Sequence, residues 1–312
     1  MRRLGVSVFR AADSLQKASR YLALSESNFD PQPRMPIPTR GRIEERSYSP
    51  RKSSARKGIF SELTSLMQDL ARVREPIEGA DFSGVFQHNS TPGATDLFKE
   101  IFFAPTLNQY SSTWLGSAHE LHHSVYRDLP WREIRPAINA WFRLRPEIQD
   151  RALATLWERR LRPDEVLAVN LRGSRKHTEI PPTPVEVWVK LVGDLLLAYA
   201  HLTVVVFSDD QDLVDDFADL APFTVVDLGQ EVRTRANSSI VRAFRSQTWT
   251  SDFTKNFVGR TWLISQCHVV VTHTGNGAFW TALFRGCTCR FFQFTRLPGS
   301  VSVPQADCDL HS

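Results

Sequence analysis

The sequence contains no run of 18 consecutive apolar residues, so no segment reads as a membrane-spanning helix. It has only four cysteines in 312 residues, Cys267, Cys287, Cys289 and Cys308, and no Cys-x-x-Cys pair. That spacing disfavours a zinc knuckle. Cys287 and Cys289 are separated by one residue, which disfavours a disulfide between them. The expectation is therefore reduced, partly buried thiols in a cytosolic-type compartment. No Gly-x-Ser-x-Gly stretch is present, so there is no nucleophile elbow of the hydrolase kind. Acidic residues are scarce at the start. Residues 1–58 hold 13 basic and 5 acidic side chains, a net of +8, which leaves 25 basic and 29 acidic, a net of −4, for the rest. The overall pI near 9.0 thus describes a tail, and no nucleic-acid partner is expected for the folded part. The opening "MRRLGVSVFRAADSLQKASR" has too short an apolar core for a secretory signal. Its Arg-rich, acid-poor composition is that of some organelle-targeting segments, so the expectation is a soluble cytoplasmic protein with such targeting as the alternative.

What is present is 42% hydrophobic and 23% charged, the balance of a globular protein. Residues 28–57 are rich in Pro, Arg and Ser and poor in large apolar groups, which predicts a disordered linker closing a basic leader over 1–58. Order is expected from Ile59. "IFSELTSLMQDLARV" sets Phe60, Leu63, Leu66, Met67 and Leu70 on one helical face, with Ser61 as a candidate cap. "WREIRPAINAWFRL" and "PEIQDRALATLWERRL" read as two more helices. The second is opened by Pro146 and striped by Leu153, Leu156, Trp157 and Leu161. These make a mostly helical N-terminal region over 59–148. From there strands and helices alternate: strands at 166–171, 203–207, 223–226, 269–272 and 289–294, helices at 185–201, after Ser208, and at 257–266 and 276–285. Residues 229–255 read as a polar surface loop. Alternation of this kind predicts an α/β fold, with a Rossmann-like parallel sheet domain over 149–312 covered on both faces.

In such sheets ligands bind beyond the carboxyl ends of the strands. Three polar clusters fall there. The first strand runs into Asn170, Arg172, Gly173, Arg175, Lys176, His177 and Glu179. "TVVVF" ends in Ser208, Asp209 and Asp210. "HVVVTH" ends in Thr272, Thr274, Gly275 and Asn276 just ahead of a helix. Small residues at a helix start offer backbone N–H groups to an anion. An arginine facing them suits a diphosphate, because its planar fork donates two parallel hydrogen bonds. Asp209 or Asp210 would accept from a ribose or base, or would only cap the following helix. Together the clusters describe a nucleotide-diphosphate site.

In order, "VNLRGSRKHTEIPP", "VVVFSDD" and "LISQCHVVVTHTGN" resemble the fucosyltransferase superfamily of bacterial nodulation and mammalian α1,6-fucosyltransferases and protein O-fucosyltransferases. Those enzymes carry His-x-Arg-Gly-Thr-Asp-Lys…Glu after a strand, then a Ser/Thr-Asp-Asp/Glu strand end. A Leu-Ser-x-Cys/Ala-Asp strand closing in Thr-x-Ser-Ser/Asn follows. The likeness spans residues 150–295, with "DLFKEIFFAPT" and "AWFRLRPEIQDRA" similar to the approach to it. It implies a GT-B-like glycosyltransferase that takes GDP-fucose as donor and a glycan or protein hydroxyl as acceptor, inverting, with no metal or other cofactor required. By the same resemblance Arg172 holds the β-phosphate and stabilises the leaving group. Glu179 acts as general base, with Lys176 assisting. Asn170, Gly173, Asp209, Asp210, Thr272, Thr274, Gly275 and Asn276 line the donor site. The chain departs from the pattern where Asn170 replaces the His, Arg175 the Asp before Lys, His268 the later Asp, and Arg260 an upstream acid. It also lacks a Gly-x-Gly-Asn stretch near its start. The alternative reading is a catalytically degenerate member that binds or scaffolds.

One rival motif stands apart. "HELHH" matches His-Glu-x-x-His, the spacing that sets two zinc-ligating imidazoles, here His119 and His123, on one helical face with Glu120 as base. A third ligand has no clear candidate beyond Glu133 and Glu147, and Pro130 shortens the helix the motif needs. "SQTWTSDFTKNF" places Trp249 where it would stack on a sugar or pack as a lid.

Overall fold

The computed structural model describes residues 58–72, 82, 85–86, 96–103, 115, 121–172, 182–229, 233–235, 251–296 and 300–304. Helices come first: α1 (Ile59–Arg72), α2 (Leu97–Ile101), α3 (Trp131–Trp141) and α4 (Pro146–Trp157). Then strand and helix alternate: β1 (Val166–Asn170), α5 (Val185–Ala198), β2 (Thr203–Phe207), α6 (Gln211–Leu220), β3 (Val225–Asp227), α7 (Ser251–Gln266), β4 (Val269–His273), α8 (Asn276–Arg285), β5 (Phe291–Phe294) and β6 (Val301–Ser302). The strands form one sheet in the order β3-β2-β1-β4-β5-β6. All neighbours are parallel except β6, which runs antiparallel on β5. The expected α/β class with a helical N-terminal region is the observed one. Among the described residues no helix is long and apolar enough to cross a membrane.

The strands are parallel because both of their faces are apolar. β1 and β4 are the central pair, and runs such as Val269-Val270-Val271 are wholly buried. Alternate residues serve opposite layers. Leu167, Val169, Val204, Val206, Val269 and Val271 face Trp188, Val192 and Leu195 of α5 and Val214 and Phe217 of α6. Val166, Ala168, Val205, Phe207 and Val270 face the other layer, which holds α1, α3, α4, α7 and α8. Buried residues of the helices within 59–148 belong to the same apolar cluster as this face of the sheet. In α1, Phe60, Leu63, Leu66, Met67 and Leu70 are buried as their spacing required. Phe60 stacks on Trp280 of α8 at 6.3 Å, and Trp280 Nε1 donates to Thr64 Oγ1 at 3.0 Å.

Several expectations are corrected. Ser61 is not the cap of α1. It lies inside the helix, whose first bonds run from Ser61 N and Glu62 N to Gly58 O. Trp157 is no core residue but 53% exposed, because α4 stops there and the chain turns through Arg160 at φ 59°. α7 begins at Ser251, not Phe257, so residues 251–255 are helical and not part of the expected surface loop. Phe253 and Phe257, one helical turn apart, stack at 5.7 Å and draw the polar residues between them into the helix. Gly259 of α7 touches α4 so closely that a Cβ there would lie 3.2 Å from the Ile148 side chain. The thiols are not all reduced: Cys289 is disulfide-bonded, its partner lying outside the described residues, while Cys267 and Cys287 are free. Burial pushes the Cys267 thiol up to about 12. The expected leader helix, the linker, His119, Glu120, Arg175 and Trp249 all lie outside the described residues.

Arg285, the last residue of α8, ties the amino-terminal edge of the sheet together. Its guanidinium donates to Ser265 O (2.8 Å), Cys267 O (2.7 Å), His268 O (3.1 Å) and Cys289 O (2.9 Å). One side chain thus satisfies the orphan carbonyls at the end of α7 and at the turn into β5.

Candidate functional site

The strand order contains one reversal. From β1 the chain steps outward to β2 and β3, then returns to place β4 on the opposite side of β1. The carboxyl ends of β1 and β4 thus mark the switch point of the strand order, where an open α/β sheet usually has its ligand crevice. Two of the three predicted clusters meet there. Asn170 and Thr272 are register partners, and Asn170 Nδ2 donates to Thr272 Oγ1 at 3.2 Å. Arg172, two residues beyond β1, crosses to the end of β4 and donates from Nη1 to Thr274 O.

Gly275 closes the contact. Its φ of 146° and ψ of 172° lie in a region that L residues with a Cβ essentially avoid. A Cβ built on it would fall on the Arg172 guanidinium. Gly275 is also the N-cap of α8, whose first intrahelical bond is Phe279 N to Gly275 O at 2.8 Å. The amides of Asn276, Gly277 and Ala278 precede that bond and have no intrahelical acceptor. Arg172 and the positive end of α8 thus converge on one spot, an arrangement suited to an anion with several oxygens.

The side chains predicted along this turn do other work. The Thr274 hydroxyl is buried, donates to Phe294 O at 2.7 Å and accepts from Gln293 Nε2 at 3.0 Å, so it is not offered to a ligand. The Asn276 amide reaches back to α1, donating to Ser61 Oγ at 3.1 Å and accepting from Thr64 Oγ1 at 3.4 Å. What the turn offers the crevice is backbone. The acidic cluster after β2 also takes its plainer reading in part. Asp210 caps α6, its Oδ1 accepting from Asp212 N at 3.1 Å and Leu213 N at 3.3 Å. Thr234 folds over it, with Thr234 N donating to Asp209 O and Gln211 N donating to Thr234 O. Arg233 clamps this loop by a two-pronged pair with Asp227, at 2.6 and 2.7 Å, which holds that carboxyl below the usual carboxylate range. Gly173, Lys176 and Glu179 lie outside the described residues. His268 stands at the amino end of β4, on the edge of the sheet away from the crevice. Burial first, and Arg290 second, lower its pKa.

Sequence reasoning missed Tyr126 and Gln293. Tyr126 is fully buried between Phe279 and Phe291, and its hydroxyl lies 3.1 Å from both the N and the O of Gly275. Burial holds this phenol well above its usual pKa, against the opposing pull of the Gly275 backbone and Arg172. Gln293 of β5 accepts from Tyr126 N at 2.8 Å and donates to Ser124 O and Thr274 Oγ1. No local pattern marks either residue, since each acts on a turn far away in the chain.

Elsewhere a cavity of about 300 Å3 is lined by Ala152 and Thr155 of α4, Phe257 and Arg260 of α7, and Phe207 and Leu228. The Arg260 guanidinium sits 4.8 Å from the Phe257 ring centroid. The zinc motif fares differently. His122 and His123 occupy a three-residue 3-10 turn, Leu121–His123, not the α-helix that brings i and i+4 imidazoles together. Among the described residues no group of three or more His, Cys, Asp or Glu side chains could hold a metal ion.

Compared with known proteins, the chain matches no family model. No curated protein matches it in sequence either. It is similar to solved structures of the NodZ α-1,6-fucosyltransferase. One co-crystallised with GDP has 16% identity and a TM-score of 0.34, over 54% of this chain and 50% of that one. One soaked with GDP-fucose has 15% identity and a TM-score of 0.34, over 56% and 53%. A selenomethionine form from Bradyrhizobium has 16% identity and a TM-score of 0.32, over 51% and 48%. The chain thus spans about half the length of the solved structures it matches.

Proposed function

We propose that the chain binds a nucleotide-diphosphate sugar in the β1/β4 crevice and transfers the sugar to a hydroxyl, with GDP-fucose as donor and a glycan or protein as acceptor. The observation that carries this reading is the meeting of Arg172 with the N-terminus of α8 across Gly275, at the point where the strand order reverses. The diphosphate lies against the guanidinium and the first amides of α8. As the acceptor oxygen bonds to the anomeric carbon, the bond from that carbon to the β-phosphate oxygen breaks. The diphosphate leaves with the electron pair, and its growing charge is stabilised by Arg172 and the helix amides. The acceptor proton passes to Glu179, with Lys176 beside it, as the resemblance of "RGSRKHTE" suggests. Attack from the face opposite the diphosphate inverts the sugar.

A second reading, binding without transfer, is favoured by Asn170. Its amide is bonded to Thr272, and an amide lacks the proton-transfer capacity of the histidine in the resembling enzymes. The test incubates the protein with GDP-fucose and other nucleotide sugars and follows release of the nucleoside diphosphate, with and without a panel of glycan and peptide acceptors. Release that depends on acceptor and is lost in Glu179→Gln supports transfer. Saturable nucleotide binding with no release supports the second reading, and no binding of any nucleotide refutes both.

A further inference from the structure

We infer that Tyr126 is the positioning residue of the anion site, holding the Gly275 turn in the shape that lets Arg172 and α8 face one ligand; this rests on the nucleotide-diphosphate reading. Gly275 N–H is buried and belongs to a residue whose backbone fits neither strand nor helix. It can donate to no ladder partner, and the Tyr126 hydroxyl, 3.1 Å away, supplies the acceptor. The hydroxyl has one proton of its own. His122 O at 3.0 Å and Gly275 O at 3.1 Å both lie within reach of it, and Gly275 O already accepts from Phe279 N. The oxygen thus holds the N–H of the glycine that α8 starts from, while its one proton goes to His122 O or to Gly275 O.

Tyr126 is itself fixed at every polar atom. Its N donates to Gln293 Oε1 at 2.8 Å and its O accepts from Trp131 Nε1 at 3.0 Å. Gln293, buried in β5, turns its amide to Thr274 Oγ1 at 3.0 Å and Ser124 O at 2.9 Å. The chain Gln293–Tyr126–Gly275 and the chain Gln293–Thr274 therefore pin two successive residues of the turn to one strand. Thr274 O is the acceptor of Arg172 and Gly275 is the surface the guanidinium lies on, so the turn's shape sets the guanidinium's place. A satisfied buried network of this kind specifies one geometry, and losing one member leaves its partner unpaired in the core.

The test uses Tyr126→Phe, which keeps the ring and removes only the hydroxyl. GDP is the probe. Isothermal titration on the full chain reads affinity, and amide hydrogen exchange reads the turn. The expected result is a loss of roughly tenfold in GDP affinity, about 1.4 kcal/mol, with faster exchange confined to residues 272–280. Affinity within twofold of the unmodified chain overturns the inference and leaves the nucleotide reading standing. Faster exchange spread over the whole sheet also overturns it, since Tyr126 would then serve general packing. If the unmodified chain binds no nucleoside diphosphate, the functional reading falls and this inference falls with it. Should Tyr126→Phe not fold, Gln293→Met cuts the anchor while keeping the hydroxyl, and the same outcomes apply.

Discussion

Gly275→Ala tests the geometry of the crevice most sharply. At φ 146° and ψ 172° an alanine sits where only glycine is at ease, at a cost of about 1–3 kcal/mol. Its methyl would also occupy the place of the Arg172 guanidinium. Arg172 must then leave and give up its bond to Thr274 O, a charge-assisted hydrogen bond worth about 1.5–3 kcal/mol. Together these predict a loss on the order of 3–5 kcal/mol. At roughly 2–4 °C per kcal/mol, the midpoint should fall by on the order of 10 °C. Thermal melts followed by circular dichroism measure it. The two contributions separate in the double variant. Arg172→Ala removes the clash but not the backbone strain, so Gly275→Ala should cost less in that background than alone. A midpoint for Gly275→Ala within 2 °C of the unmodified chain would refute the reasoning. Equal costs in the two backgrounds would refute the steric part of it.

Three further outcomes follow from the same structure. Arg285→Met should destabilise more than any surface change, by about 3 kcal/mol or more, because four backbone carbonyls lose one shared donor group, and chemical denaturation reads the loss. Asp210→Ala should cost about 1 kcal/mol through the lost cap of α6, while Asp210→Asn, which keeps an acceptor, should recover most of it. The lowered pKa of His268 means that the unfolded chain takes up a proton before the folded one does. Its contribution to stability is therefore present above about pH 6.5 and lost as pH falls below that value. Thermal midpoints between pH 7.5 and 5 should fall less steeply in His268→Gln.

Much of the sheet was legible in the sequence because its strands are short apolar runs broken by polar ones. β2 and α8 fall where periodicity set them, and Pro146 opens α4 as expected. Position at a strand's carboxyl end was also enough to bring Arg172 to the turn around Gly275, since parallel strands leave their loops on one edge. Partnership was not legible. Asp210 reads equally as ligand or cap until Thr234 is seen folded over it. Thr274 and Asn276 look like phosphate ligands by composition, yet their side chains are spent on β5 and α1. Tyr126 carries no signal because its partner is 149 residues away. The disulfide of Cys289 was not legible because spacing along the sequence does not fix cysteine pairing. Trp157 was misread because a helix stripe continues past the residue where the helix ends.

Arg172 is the proposed centre of the nucleotide-diphosphate site. The most direct measurement is isothermal titration of GDP, UDP and ADP into the unmodified chain and into Arg172→Ala. The account predicts saturable binding that favours GDP and falls by at least tenfold, about 1.4 kcal/mol, in the variant. Binding of equal strength in both chains, or none in the unmodified chain, would contradict it.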